Sequence, residues 1–286
     1  MPICTTHTPQ CSCGVFNSKR RVNPLKVDPS RTLGLQKRFQ ADLTRRLKAL
    51  QTAIRIWLVR DDELGLVTNV RTHAFDTTSK KANAFKEWLD DQVKRGFLTE
   101  DASKTYVTSS YKQGIARAYD QGKPAGTTDP KFYQGGKAQF MSSAFGGGEN
   151  IDTLELLATR TFNNIEGLTN DMKLRLNRIL VEGMAKGDGA NSMASRMVKE
   201  LKGMTLSRAR TIARTEIAHA QAEGQLDGFE ALGLDEVDLD AELSTAYDAC
   251  PQCESIKAKG PYTIAQARGI IPIHPNCRCG WTLVVK

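Results

Sequence analysis

The chain has 286 residues, a formal net charge of +8, 40% hydrophobic and 25% charged residues, a length that suits about two domains. Its seven cysteines fall in two groups (Cys4, Cys11 and Cys13; then Cys250, Cys253, Cys277 and Cys279), an odd count and an uneven spread that argue against a disulfide-stapled secreted scaffold. No uninterrupted apolar stretch precedes Lys19-Arg20-Arg21, and none approaches the roughly 18 apolar residues that span a bilayer, so a soluble protein of a reducing compartment with no membrane partner is expected.

Charge is unevenly placed. Residues 1–60 hold twelve Lys/Arg against Asp28 and Asp42, which leaves 28 bases and 30 acids for the remainder. The basic excess therefore belongs to the N-terminal region, where Lys19, Arg20, Arg21, Arg38, Arg45 and Arg46 are candidate contacts to DNA or to an acidic protein surface. A solvated helix face explains the same residues without any partner. Within residues 1–30, Cys4, His7, Cys11 and Cys13 form a compact set that offers enough ligands for one metal ion, although nothing around them reads as helix or strand.

From Arg31 to Arg60, Leu35, Phe39, Leu43, Leu47, Leu50, Ile54 and Leu58 recur at three- and four-residue steps and predict one long amphipathic helix. A second helix is expected over 81–95, burying Phe85, Trp88, Leu89 and Val93, with Gly96 as a left-handed cap. A third runs from about 100 to 121, where Gly122 and Pro124 should stop it. Residues 31–122 form the expected helical N-terminal domain. The Gly- and Pro-rich stretch 123–150 reads as a long loop or linker, with at most short structure around Phe140 to Phe145 and a domain boundary there.

Helical spacing returns in 151–232. One segment carries Ile151, Leu154, Leu157 and Phe162; Thr169 is a candidate N-cap for a second that ends near Gly187-Asp188-Gly189; Ser192 opens a short third; the longest starts near Thr205 or Ser207 and ends at Gly233. Strand patterning appears only in 233–286. Val237, Leu239, Ala241 and Leu243 alternate with acids, and Trp281 to Val285 is a second strand. The expected fold is therefore mainly α, long helices joined to a short β-sheet in a small α+β C-terminal unit.

That unit carries the strongest chemical signal. Cys250-Pro251-Gln252-Cys253 presents two thiolates on one knuckle, and His274, Cys277 and Cys279 follow about twenty residues later, so four of these five can close a tetrahedral zinc site. His274 with Cys277 repeats the knuckle spacing and is the preferred second pair, whereas Cys277 with Cys279 is expected to need a more strained turn. The alternatives are a capping role for His274 and a buried thiol at Cys279. A unit with little aliphatic content draws stability from such an ion, worth an apparent ~10–16 kcal/mol in small zinc domains.

The order of three motifs, Arg214-Thr215-Glu216 inside a helix, Tyr247 to Cys253, and His274-Pro275-Asn276-Cys277-Arg278-Cys279-Gly280-Trp281, resembles the phage Mu F-like minor head (head morphogenesis) protein family over residues 151–286. The resemblance implies a structural component of a tailed phage, present in few copies and associated with the portal protein, the capsid interior and packaged double-stranded DNA. Its implied location is the virion interior near the portal, with host cytoplasm during assembly. No small-molecule substrate is expected. Arg214 and Glu216 diverge on a helix and cannot form one catalytic pair; they are read as braces, with Arg214 or Arg210 pairing Asp248 and Glu216 orienting a loop or reaching Arg278. Two other functions remain: a zinc-containing DNA-binding protein, and a metal-dependent nuclease or toxin domain. For the latter, His219 is the one histidine near the domain that the zinc site does not use, and a closed metal site has no open position for chemistry. A non-enzymatic role is therefore expected.

Overall fold

The computed structural model describes residues 28–66, 77–98, 100–126, 131, 133–146, 148–233 and 239–285. Cys4, His7, Cys11, Cys13, Lys19, Arg20 and Arg21 lie outside them. The chain is mainly α-helical, with a two-stranded antiparallel sheet and a Cys/His cluster at its C-terminal end.

Helix α1 (Leu33–Arg55) buries Leu35, Phe39, Leu43, Leu47, Leu50 and Ile54, the stripe that its sequence periodicity predicts. Asp28 caps its start: the Leu33 amide donates to Asp28 Oδ2 at 3.0 Å. The last turn, Ile56–Arg60, is wound as a π-helix and lays Trp57 on Trp88 with ring centroids 4.9 Å apart. Helix α2 (Thr78–Gly96) begins at Thr77, whose hydroxyl accepts from the Lys80 amide, and buries Phe85, Leu89 and Val93. Gly96 is its last helical residue rather than a left-handed cap, and its carbonyl takes a hydrogen bond from Arg46.

Helix α3 (Glu100–Gly126) does not stop at Gly122. Proline at position 124 stands in the final turn, where the amide that it lacks is one bond of an ending ladder, so the helix tolerates it. The stretch expected to be a linker also contains α4 (Lys137–Gly146), which places Phe140 and Ala144 in the core. Helix α5 (Gly148–Lys186) is continuous over 39 residues where two helices are expected. Thr169 is not a cap; it is buried within the helix and its hydroxyl donates to the Glu166 carbonyl at 2.9 Å, a local bond that lets a cap-type residue sit mid-helix. Gly187, at φ 76°, turns the chain into α6 (Ala190–Glu200). A π-helical stretch, Leu201–Thr205, kinked at Gly203, leads to α7 (Leu206–Ala231).

Helix α7 runs through both hydrophobic cores. Its first half gives Ala209, Ala213 and Ile217 to a core with α1, α2, α5 and α6. Its second half gives Ala220, Leu226 and Phe229 to a core with Tyr111, Ile115 and Ala118 of α3, Phe140 of α4 and the sheet. Residues 123–150 lead from α3 to α5, and Phe140 and Ala144 within them pack in the second of these cores.

The pairing of α3 and α7 is unusually close. A β-carbon on Gly114 would land on the Gln221 carbonyl, one on Gly224 would land on the Tyr111 carbonyl, and one on Gly228 would stand 2.5 Å from Ala118 Cβ. Ser110 Oγ donates across the crossing to the Ile217 carbonyl at 2.7 Å. The contact needs bare backbone on both helices.

The sheet is carried by this pair. Strand β1 (Leu239–Ser244) and strand β2 (Gly280–Val285) are antiparallel, with Leu239 opposite Val285 and Leu243 opposite Trp281. Leu239, Ala241 and Leu243 point inward, as their alternation predicts. Between the strands lie α8 (Pro251–Lys257) and the short α9 (Ile264–Ala267). Gln225 Nε2 donates to the Trp281 carbonyl at 2.9 Å and to Gln121 Oε1 at 2.8 Å, so buried amides from α7 and α3 hold β2 in place. Pro29 lies directly on Gly280, and the Ser30 amide donates to the Arg278 carbonyl at 3.4 Å.

Gly224→Ala is expected to lower the unfolding free energy by about 1–3 kcal/mol, because the new methyl meets backbone that cannot rotate away. Gly34→Ala, in the exposed first turn of α1 with open space around it, should raise stability by roughly 0.5–1 kcal/mol. Urea denaturation of the two variants checks the contrast; equal effects would disprove the glycine crossing.

Candidate metal centre

Two short segments build the centre. Cys250 is the N-cap of α8, with Pro251 at the first helical position, where proline's fixed φ suits the start of a helix. Cys253 follows within the first turn and is buried. The Cys250 sulfur faces the free amides of Gln252 and Cys253, and their hydrogen bonds hold its thiol below the usual range. The second segment folds as a tight turn in which the Cys277 amide donates to the His274 carbonyl at 3.1 Å. Asn276 takes the left-handed position of that turn, φ 65°, a conformation that asparagine accepts more readily than most residues.

All five candidate ligands converge. His274 Nε2 lies 3.3 Å from the Cys250 sulfur and 3.1 Å from the Cys253 sulfur. Its Nδ1 donates to the Pro275 carbonyl at 2.8 Å, which turns Nε2 and its lone pair toward the thiols, the orientation typical of metal-bound histidine. Two trios form, Cys250, Cys253 and His274, and Cys253, Cys277 and Cys279, with ligand atoms within 4.8 Å of one another in each. Two sulfurs bound to one ion at about 2.3 Å would be ~3.8 Å apart at a tetrahedral angle. The cluster can therefore hold a metal ion.

Cys253 is the hinge of the arrangement, since it belongs to both trios. His274 lies with Cys250 and Cys253, and Cys277 also groups with Cys279. The reason is local. Just ahead of β2 the chain alternates, so residues two apart share a side: Cys277 and Cys279 are buried while Arg278 between them points outward. No strained turn is needed. The Cys279 thiol hydrogen-bonds to the Cys277 sulfur, and this bond with two backbone bonds pulls the Cys277 thiol down to about 5. Burial and the neighbouring sulfur push Cys253 up to about 12, and Cys279 also rises because it is the donor. One ready thiolate beside thiols that lose protons on metal binding is the donor chemistry of a soft-metal site.

Charged residues tie the two segments together and to the helices. Arg278 reaches across to Asp248, two residues before the first knuckle, at 2.5 Å; the guanidinium holds the Asp248 carboxyl below its usual range. The Arg214-Thr215-Glu216 motif splits. Arg214 donates to Asn276 Oδ1 at 3.2 Å, and Thr215 Oγ1 accepts from the Asn276 amide at 3.4 Å, so both grip the tip of the second knuckle. Glu216 does not reach Arg278. It faces the opposite side of α7, where it is buried against Arg160 at 3.3 Å and accepts from Asn164 at 3.0 Å; successive helical positions diverge by about 100°. Asp248 is held by Arg278 rather than by Arg214 or Arg210.

Glu216 opens a buried polar row along α7 that sequence reading did not single out: Glu216, His219, Glu223 and Asp227 are all buried, at helical spacing. Arg268 binds Asp227 at 2.5 Å, Glu223 at 3.6 Å and also Glu230, and Tyr111 donates to Asp227. The repeat of His and acids at three- and four-residue steps was the available signal. His219 lies in this row, 3.5 Å from Arg160 and 3.7 Å from Glu223. Its ligand atoms join neither metal trio.

Of the described candidate contacts for an acidic partner, Arg38 is exposed and donates to its own helix. Arg45 is also exposed, with Asp42 as its ion-pair partner. Arg46 is turned inward to Asp42 and the Gly96 carbonyl and serves to join α1 to α2.

No family model matches the chain, and neither the curated proteins nor the solved structures contain a match to it.

Burial, and then the Arg160 guanidinium, push His219 down to about 4. An unfolded histidine at about 6.5 binds protons that the folded one refuses, so this side chain favours folding fully above about pH 6.5 and loses that contribution as pH falls toward about 4. Between about pH 7 and pH 5, the wild-type chain should lose roughly 2 kcal/mol more stability than His219→Asn. Denaturant titrations of both proteins at the two pH values measure it, and parallel losses would show that His219 titrates normally.

Proposed function

We propose that the chain is a non-enzymatic structural component of a tailed-phage head, a minor head protein that docks on the portal protein, with zinc as the ion in its C-terminal clasp. The observation that carries this reading is the meeting of the two cysteine segments at one buried point gripped from α7 by Arg214 and Thr215. The same three motifs that resemble the Mu F-like family are the three that touch one another in space, which supports reading them as one unit. Thiolates with one imidazole favour zinc over the hard cations. Four protein ligands fill a tetrahedral zinc and leave no position for substrate, so the ion's role in this reading is to close a small unit that has little core of its own. The basic N-terminal arm would then contact packaged DNA or an acidic face of the head.

Metal analysis of the purified chain should give about one zinc per clasp. Cys253→Ser, at the residue common to both trios, should release the ion and melt the β1–β2 unit first, seen as loss of Trp281 fluorescence protection before helix is lost. A clasp that keeps its fold without metal would remove zinc from the reading. Capture of portal protein by the full chain at physiological salt is the direct test of the head assignment; no capture at any salt would sink it.

A further inference from the structure

The basic excess of residues 1–60 continues in the folded body, where α1 faces further cations on α7. A groove of about 560 Å³ runs between α1 and α7. Five of the residues that line it are cations, Lys37, Arg45 and Lys48 from α1 and Arg210 and Arg214 from α7, and the rest of the lining is uncharged. All five are exposed.

Proteins normally intersperse their surface charges, and like charges facing each other across a groove repel. The local acid relieves this only at Arg45. Asp42 is buried, and it serves Arg45 and Arg46 on their own helix. Arg214 is bound to a neutral amide, Asn276, which places the guanidinium without cancelling its charge. A positively charged, open groove with low-dielectric walls concentrates anions.

The spacing selects among anions. Lys37 and Lys48 are eleven residues apart on a straight helix, about 16 Å at 1.5 Å per residue. That length matches about five steps of a nucleic-acid strand at ~3.4 Å per nucleotide. Arg210 and Arg214 stand one turn apart on the facing wall, so charge is presented from both sides along a line. A compact anion such as free phosphate would engage one end of this array only. Gln40 adds an uncharged amide between the cations, as phosphate-tracking surfaces commonly do, while the Thr44 hydroxyl donates to the Gln40 carbonyl of its own helix.

We propose that the α1/α7 groove binds the phosphodiester backbone of a nucleic-acid strand, with Lys37, Lys48, Arg210 and Arg214 as the phosphate contacts. The proposal stands on the groove's geometry and charge and does not depend on the head-protein reading or on the identity of the metal. Recognition is of backbone and not of bases, since the lining offers point charges and no aromatic platform.

The test is fluorescence anisotropy of the full chain with a labelled duplex of about 20 base pairs, read across a salt series. Each lost phosphate contact flattens the dependence of log K on log salt by about 0.9. The double variant Lys48→Gln/Arg210→Gln should therefore bind roughly tenfold more weakly at about 0.1 M salt, with a slope shallower by about two. Lys86→Gln/Lys94→Gln, at exposed positions of α2 that do not line the groove, removes the same net charge and is the reference. Equal slopes in the two double variants would overturn the proposal. So would a groove-dependent affinity for polyglutamate without one for the duplex, which would assign the face to an acidic protein. Lys48→Gln alone, at an exposed position, keeps the comparison valid if the double variant melts early, and should flatten the slope by about one.

Discussion

The close approach of α3 and α7 is the constraint on which the other contacts depend. At Gly114 and Gly224 the two helices meet backbone to backbone, and at Gly228 backbone meets the Ala118 methyl, with no room for a β-carbon. That closeness does more than bury area. It brings Gln121 and Gln225 near enough to share a hydrogen bond and to hold the Trp281 carbonyl, which fixes β2 and, through β2, Cys277 and Cys279. Larger residues at the crossing would move α7 outward and carry β2 along, with the cysteine segment just ahead of it.

Helix α7 also distributes different work to its different faces. One face joins both hydrophobic cores, one holds Asn276 through Arg214 and Thr215, and one buries the acids and His219 against Arg160 and Arg268. Burial of this many charged groups is tolerated because each acid has a guanidinium or hydrogen-bond donor within reach. Such a row adds little net stability but penalises any other register of α7 against α5, since a slip of one turn would leave buried carboxylates without partners.

The sequence was most legible where a single periodicity governs. The apolar stripe of α1, the Phe85–Val93 face of α2 and the Leu239–Leu243 alternation all appear in the structure as their spacing predicts. Cap and breaker residues are harder to read. Gly96 does end α2, though as its last helical residue and not as a left-handed cap, whereas Thr169 has the look of a cap and bonds back into its own turn. Pro124 and the glycines around it suggested a linker, because sequence alone does not show that Phe140 and Ala144 are needed to cover α3. For the metal cluster, the five ligands were evident from residue type and order. Spacing alone does not show that His274 lies with the first knuckle, nor that Cys277 and Cys279 come together by the two-residue repeat of extended chain. The glycines of the α3–α7 crossing went unread for a related reason: small residues four apart carry a helix–helix signal only once the partner helix is known.

The seating of Pro29 against Gly280 has a mechanical consequence. The segment that precedes α1 leaves the body beside β2, held by the Arg117 guanidinium on the Pro29 carbonyl and by the Ser30 amide on the Arg278 carbonyl. Tension on whatever precedes Asp28 is therefore delivered to the residue that lies between Cys277 and Cys279. A tug on that segment is felt at Arg117 of α3 and at the stretch ahead of β2 that holds Cys277 and Cys279, so load at one end of the described chain and the cysteine cluster at the other act in series.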